Sequence, residues 1–297
     1  MMAKLRAFFC TRGYLEVETP YLAQHGVTDC YLNNVTAHCQ GKTHYLQTSP
    51  EYHMKRLLAA GSGPIFQLAR VFRDDELGRW HNPEFTLLEW YQLDIDHYGL
   101  MDEVDVLLQT FLQTQPMRRV TYQAIFQAVL DLDPLQASID DFRRILRKHQ
   151  LDGVLSADET DRDQYLFLLM SHVIEPALET ADTPVAVYHF PPSQASLSQI
   201  HEGLAARVEI FFRGVELANG FHELTDPIEQ HKRFTADNAW RLSRNLPLSV
   251  PDPYLLGALK NGLPPCSGMA LGVDRLITLA LGLSNVGQTL AFDFSKS

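Results

Sequence analysis

The stretch that most constrains this 297-residue chain is an apolar run, a polar decade and a second apolar run. The first, PIFQLARVFRDD, ends at Asp75 and has the density of apolar residues expected of a buried strand. DELGRWHNPE reads as a loop, and FTLLEWYQLDID, beginning at Phe85, reads as a strand that returns beside the first. A side-chain period of two puts Phe85, Leu87, Glu89 and Tyr91 on one face of the returning strand. A stackable ring, an acid and a phenol hydroxyl therefore share one surface. The pattern alone leaves two readings: an ordinary hairpin with one polar edge, common in antiparallel sheets, or the wall of a binding site.

The flanking segments supply helices and more strands. Leu5, Phe8 and Phe9 recur at helical spacing and Gly13 supplies a stop, which predicts an opening helix. GYLEVETPYL alternates as a strand up to Pro20. A helix is expected from Ser49-Pro50-Glu51, because proline suits a first turn and glutamate suits the positive end of the dipole. Residues 98–180 carry helical periodicity throughout and read as a helical insertion. Strand patterns resume with VAVYHFP and RVEIFFRGVELANGFHEL, with Gly214 as the turn, followed by a helical TDPIEQHKRFTADNAWRLSRNL. CSGMALGVDRLITLALG then joins a strand to a helix beginning near Asp274. Strands, then helices, then strands again predict an α+β fold around an antiparallel sheet, organised as a single domain over 1–297.

Composition removes several functional classes. The net charge of −11 argues against a surface built to grip a long polyanion, whose affinity comes from Lys and Arg. Four cysteines, at 10, 30, 39 and 266, show no CxxC spacing and read as separate reduced thiols. Twelve histidines form no HExxH or comparable ligand cluster. The apolar start is too short to span a bilayer and no cleavage site follows, so a cytoplasmic chain without membrane attachment is expected.

Six segments along the chain carry a family resemblance. GYLEVETPYL resembles motif 1 of the class II aminoacyl-tRNA synthetases, FRDDELGRWHNPEF resembles motif 2, and GMALGVDRL resembles motif 3. TSPEYHMKRL, EFTLLEWY and VELANGFHEL resemble the lysyl-specific members in particular. Those synthetases carry an N-terminal anticodon-reading domain, whereas about a dozen residues precede motif 1 here. The chain is therefore similar to a branch that loads (R)-β-lysine, or lysine, onto elongation factor P instead of tRNA.

The resemblance implies the class II catalytic fold, an antiparallel sheet flanked by helices, and ATP as substrate with Mg2+. Arg73 would bridge the amino-acid carboxylate and the α-phosphate, a task suited to a guanidinium fork. Arg275 would hold the γ-phosphate end, with Phe85 stacked on the adenine. Asp74, Asp75, His81, Asn82, Glu216, Leu217 and Gly272 would complete the nucleotide site. Glu209 and Glu216 would hold the magnesium, which favours hard oxygen ligands. Glu51, with Ser49 and Pro50, would meet the amino group near the carboxylate. Glu89, Tyr91 and Glu223 would surround the far ammonium, with Asn219 close by, since a buried ammonium is costly unless paired. Ala270 stands where lysyl-tRNA synthetases have glycine, and its methyl is expected to narrow the pocket floor. Asp75 replaces the glutamate usual at its position. A homodimer is expected, with Leu5 and Phe8 at the interface, and no tRNA partner. The alternatives are a minimal lysyl-tRNA synthetase and an inactive paralogue. Retention of Arg73, Glu209, Glu216 and Arg275 speaks against decay.

Overall fold

The computed structural model describes residues 1–74 and 77–297. The chain forms two compact units, one of residues 1–100 with 222–297 and one of residues 101–221. In chain order the elements are α1 (Met2–Cys10), β1 (Leu15–Glu16), β2 (Leu22–Ala23), β3 (Thr36–Cys39), β4 (Lys42–Leu46), α2 (Glu51–Ala59), β5 (Ile65–Phe72) and β6 (Glu84–Leu93). Next come α3 (His97–Leu112), β7 (Arg118–Thr121), α4 (Tyr122–Leu130), α5 (Ile139–Lys148), α6 (Arg162–Leu169), a π-helical turn (Met170–Ile174) and α7 (Glu175–Ala177). They are followed by β8 (Val185–Phe190), β9 (Ile200–His201), β10 (Leu204–Phe212), β11 (Val215–His222), α8 (Pro227–Ser243), α9 (Pro253–Gly262), β12 (Cys266–Gly272) and α10 (Val273–Ala280).

In the first unit, β1, β5, β6 and β12 lie side by side in that order. The β5–β6 and β6–β12 pairs are antiparallel, and β1 joins β5 in parallel. Motif 1 is thus extended but pairs over two residues only, where alternation had predicted a longer strand. Its Val17 N–H still donates to the Phe66 carbonyl, 2.9 Å away. One face of this sheet is closed by α1. Phe9 stacks on Phe66 with ring centroids 5.0 Å apart and lies 5.2 Å from Trp90. Leu5 and Phe8 are buried with it. That corrects the expectation of a dimer contact through these two residues: aromatic area on the β5 and β6 back face captures them first.

The second unit arranges β11, β10, β8 and β7 in that order, with β9 on β10. Its core joins α4, α5 and α6 to the sheet through Phe126, Phe142, Tyr165, Val187 and Phe211. The segment expected to be wholly helical therefore includes a strand. Arg118–Thr121 has only Val120 as an apolar residue, too little for a period to register, and it becomes β7 by pairing in parallel with β8. Among the described residues no helix is long and apolar enough to cross a membrane.

Candidate functional site

The face of the first sheet opposite α1 is laid out by register. β6 residues sit directly across from their neighbours on β5 and β12, so rows can be read off. Gln67, Glu89 and Ala270 form one row, Ile65, Tyr91 and Gly268 the next, and Ala69, Leu87 and Gly272 the row on the other side. Phe85 and Ala270 pack against Ala69, Val71 and Leu87 on this same face. The face predicted from the period of two is therefore real. From Phe85 to Glu89 it spans about 13 Å at the usual strand rise.

Acids converge at the Tyr91 end. Ser49 Oγ donates to Glu89 Oε2 over 2.6 Å, and the Tyr91 hydroxyl donates to Glu89 Oε1 over 2.7 Å. The Glu51 backbone N–H donates to Ser49 Oγ at 3.0 Å, and Pro50 is the N-cap of α2, so the turn before that helix fixes the serine. Lys55 Nζ lies 2.6 Å from both Glu51 Oε1 and Glu223 Oε2. Burial, then the charge of Glu51, pushes the Glu89 carboxyl up to about 7. Burial also drives Glu223 up to about 8; Lys55 opposes that rise and Glu51 adds to it. Tyr91 is held well above the usual phenol range by burial and by Glu89, Glu51 and Glu223. These acids are costly where they are, which is a mark of sites made to receive a cation.

Gly268 makes room for them. A Cβ there would come 2.3 Å from Tyr91 Cε1 and 2.8 Å from Glu223 Oε1. Gly268→Ala is expected to displace both side chains and to cost about 1–3 kcal/mol of stability through overpacking. Thermal melts and amino-acid KM should both respond, with ATP KM little changed; an unaltered amino-acid KM would contradict this placement.

The Phe85 end carries the guanidinium groups. Arg73 lies with its guanidinium carbon 5.2 Å from the Phe85 ring centroid and donates through Nε to the Thr48 carbonyl at 3.4 Å. The strand end next to Ser49 thus links Arg73 to the acid pocket. Arg275 donates from Nε to the Trp80 carbonyl at 3.0 Å and from its terminal nitrogen to His81 Nε2 at 2.7 Å. The neighbouring Asp274 carboxylate accepts the Thr86 N–H at 2.8 Å, tying the start of α10 to β6. Asn82 is buried and spends its amide on the Glu84 carbonyl and the Phe294 N–H, so it holds the loop's return. Asp74 is exposed, and its N–H donates to the Asn33 carbonyl. Gly272 is the N-cap of α10. Asp75 lies outside the described residues.

Glu209, Glu216, Leu217 and Asn219 belong to the second unit. Arg213 and Gly214 both have positive φ, 51° and 71°, giving the tight turn between β10 and β11. A Cβ on Gly214 would meet the Glu175 carbonyl at 3.1 Å, so glycine suits this turn twice over. The pairing then shifts: Ile210 faces Ala218, but Phe211 faces Glu216. Leu217 is the extra residue of a bulge: the tight turn already sets Glu216 on the face that carries Glu209, and the bulge brings Asn219 to that face as well. Both line a cavity of about 380 Å³ with Leu155, Gln164, Phe167 and Met170 among its walls. Burial raises Glu209 to about 7; Arg207 opposes this and Glu216 adds to it. Two hard carboxylates on one face, with Glu216 disfavouring the charge on Glu209, suit a divalent cation such as magnesium.

Three residues of these sites escaped the sequence reading. Lys55 sits inside TSPEYHMKRL, and its spacing of four from Glu51 on a helix was the available signal. Gln67 is buried within an otherwise apolar strand, takes the Thr19 hydroxyl at 3.0 Å, and has no partner for Nε2 among the described residues. Arg207 pairs with Glu209, donates to Asn219 Oδ1 at 3.3 Å and to the Gln194 carbonyl at 2.9 Å. Its position two residues before Glu209 on a strand put it on the same face.

An antiparallel sheet with an arginine on the motif 2 strand and another at the head of the motif 3 helix defines a class. The family described as tRNA synthetases class II (D, K and N) matches residues 1–296, and the chain belongs to it. Among individual relatives, the elongation factor P--(R)-beta-lysine ligase of Klebsiella pneumoniae (strain 342) is 50% identical over 306 aligned positions, covering 100% of this chain and 94% of that protein. The ligases of the same name from Salmonella gallinarum (strain 287/91 / NCTC 13346) and Salmonella arizonae (strain ATCC BAA-731 / CDC346-86 / RSK2980) are 50% and 49% identical with the same coverage.

Proposed function

We propose that this chain activates (R)-β-lysine with ATP as an acyl-adenylate and transfers it to a lysine side chain of elongation factor P. The observation that carries the reading is the buried pocket of Glu51, Glu89 and Glu223 on the same sheet face as Arg73 and Phe85. Identity of about one half over the full length to ligases of that name supports it.

In the activation step the amino-acid carboxylate attacks the α-phosphorus and pyrophosphate leaves. Arg73 binds both reacting groups and neutralises the charge that builds between them. Phe85, under the Arg73 guanidinium, offers the adenine a stacking surface about 13 Å from the Glu89 end. Arg275 and His81 receive the distal phosphates. Glu89, Tyr91 and Glu223 orient the far ammonium, and Glu51 the nearer one. Glu209 and Glu216 would hold magnesium, which supplies charge neutralisation to triphosphate oxygens when bound. In the second step the acceptor amine attacks the carbonyl carbon and AMP departs. The chain works in the cytoplasm, as a homodimer, without tRNA.

Ala270 lies across from Glu89 and packs against the cluster of Ala69, Val71 and Leu87, where a methyl shapes the floor between the carboxylate and ammonium ends. Ala270→Gly is expected to raise adenylation of α-lysine relative to (R)-β-lysine by about tenfold, the usual value of one methyl group in a pocket. ATP–pyrophosphate exchange with both isomers checks this; an unchanged ratio contradicts it. The proposal as a whole is tested by intact-mass analysis of elongation factor P incubated with the protein, ATP, Mg2+ and each isomer. A single added lysyl mass, favouring (R)-β-lysine, is expected; no addition, alongside lysine transfer to tRNA, would overturn it.

A further inference from the structure

The acid pocket already contains a cation supplied by the chain itself. Lys55 is 1% exposed, and its ammonium sits 2.6 Å from Glu51 on α2 and 2.6 Å from Glu223. We propose that Lys55 is a positioning residue that determines specificity: its fixed ammonium holds Glu51 and Glu223 in place and sets the pocket's charge to match an amino acid with two ammonium groups. This deepens the functional reading above and rests on it.

The charge argument comes first. Three carboxylates, Glu51, Glu89 and Glu223, when all are ionised, against one ammonium leave two negative charges for a ligand to neutralise. A ligand with two ammoniums does so once its own carboxylate has paired with Arg73. One with a single ammonium leaves a buried carboxylate without a counter-charge, so that it must stay protonated or be unfavourably charged.

Geometry carries the second part. Lys55 bridges the two acids assigned to opposite ends of the ligand, Glu51 for the near ammonium and Glu223 for the far one. Helix α2 anchors the bridge through the spacing of four between Glu51 and Lys55. On the sheet side, Gly268 leaves just enough room for Glu223 beside Tyr91. Withdrawing the ammonium would strand it in the core, so it stays when ligand enters. The groups facing it from the surrounding elements are Glu51 and Tyr52 on α2, Glu89 on β6, Glu223 after β11 and the buried Cys266 thiol on β12. Without Lys55, Glu51 and Glu223 would lose the ammonium that both are held against, and neither would keep its place.

The test uses Lys55→Met and Lys55→Ala, assayed by ATP–pyrophosphate exchange with (R)-β-lysine and with its analogue lacking the terminal amine. Both variants are expected to lose the preference for the diammonium substrate by about tenfold or more, the value of a close charge pair, while ATP KM stays near that of the wild type. The pH at which exchange rises should move upward in both. Propylammonium added to Lys55→Ala should restore the preference, and propanol, of equal length but neutral, should not. An unchanged preference and pH profile in folded variants would overturn the proposal, as would equal rescue by propanol. If a variant does not fold, melting with the two additives decides. Recovery with propylammonium alone supports the proposal, and recovery with both or with neither overturns it. Wild-type protein that exchanges with no amino acid would instead sink the functional reading beneath.

Discussion

Replacing Arg73 with glutamine is expected to cut amino-acid-dependent ATP–pyrophosphate exchange by about a hundred- to a thousandfold, the usual cost of removing one preorganised donor from a charge-stabilising site. The effect should fall on kcat. On the proposed roles, Phe85 and the Arg275–His81 pair would remain to bind the nucleotide, whereas the charge developing between carboxylate and α-phosphate would lose its counterion. Lysine is not an adequate substitute, because a point charge cannot fork across two acceptors while lying over a ring. Arg73 reaches Phe85 and the Thr48 carbonyl together, which sets its plane. Single-turnover measurements separate the outcomes: unchanged adenylate formation with raised ATP KM would give Arg73 a binding role only.

The second large effect concerns charge in the pocket. Glu89→Gln keeps the shape but removes an anion and places an amide N–H against the donors Ser49 and Tyr91. Breaking one partner of a buried charge-assisted network costs about 2–5 kcal/mol, so KM for (R)-β-lysine should rise by roughly two orders of magnitude. The pH dependence follows from the same groups. In the empty pocket Glu89 and Glu223 stand at about 7 and about 8, both raised, so each is neutral below its value and anionic above it. A cationic ligand binds the anionic form, so kcat/KM for the amino acid should climb as pH rises through 7–8 and level off above. Ligand binding near pH 7 should release protons, which calorimetry in buffers of different ionisation enthalpy measures directly. Glu89→Gln should remove one of the two inflections. A flat profile over this range would contradict the pocket's charge state.

Much of the site was legible because period-two alternation and strand register express one geometry. Phe85, Leu87, Glu89 and Tyr91 fall on one face from their spacing alone, and β12 brings Gly268, Ala270 and Gly272 against them in step. The chain's own counter-cation was not legible in that way. Lys55 reads as an ordinary helical lysine until Glu223, distant in sequence, arrives beside it. The bulge at Leu217 is equally silent: the turn alone puts Glu209 and Glu216 on one face, but only the extra residue brings Asn219 across from Glu209. Leu5 and Phe8 showed an apolar stripe but not its partner, and the partner is Phe9's neighbourhood of Phe66 and Trp90 in the same chain. β7 was missed because four residues with two arginines become a strand only through the neighbour they pair with.

The most direct test of the central claim is a crystal structure of the protein with a non-hydrolysable (R)-β-lysyl-adenylate analogue. The account predicts the far ammonium within hydrogen-bond distance of Glu89, Tyr91 or Glu223, the adenine on Phe85, and Arg73 against the acyl-phosphate oxygens. An analogue seated with its ammonium in solvent, away from these carboxylates, would contradict it.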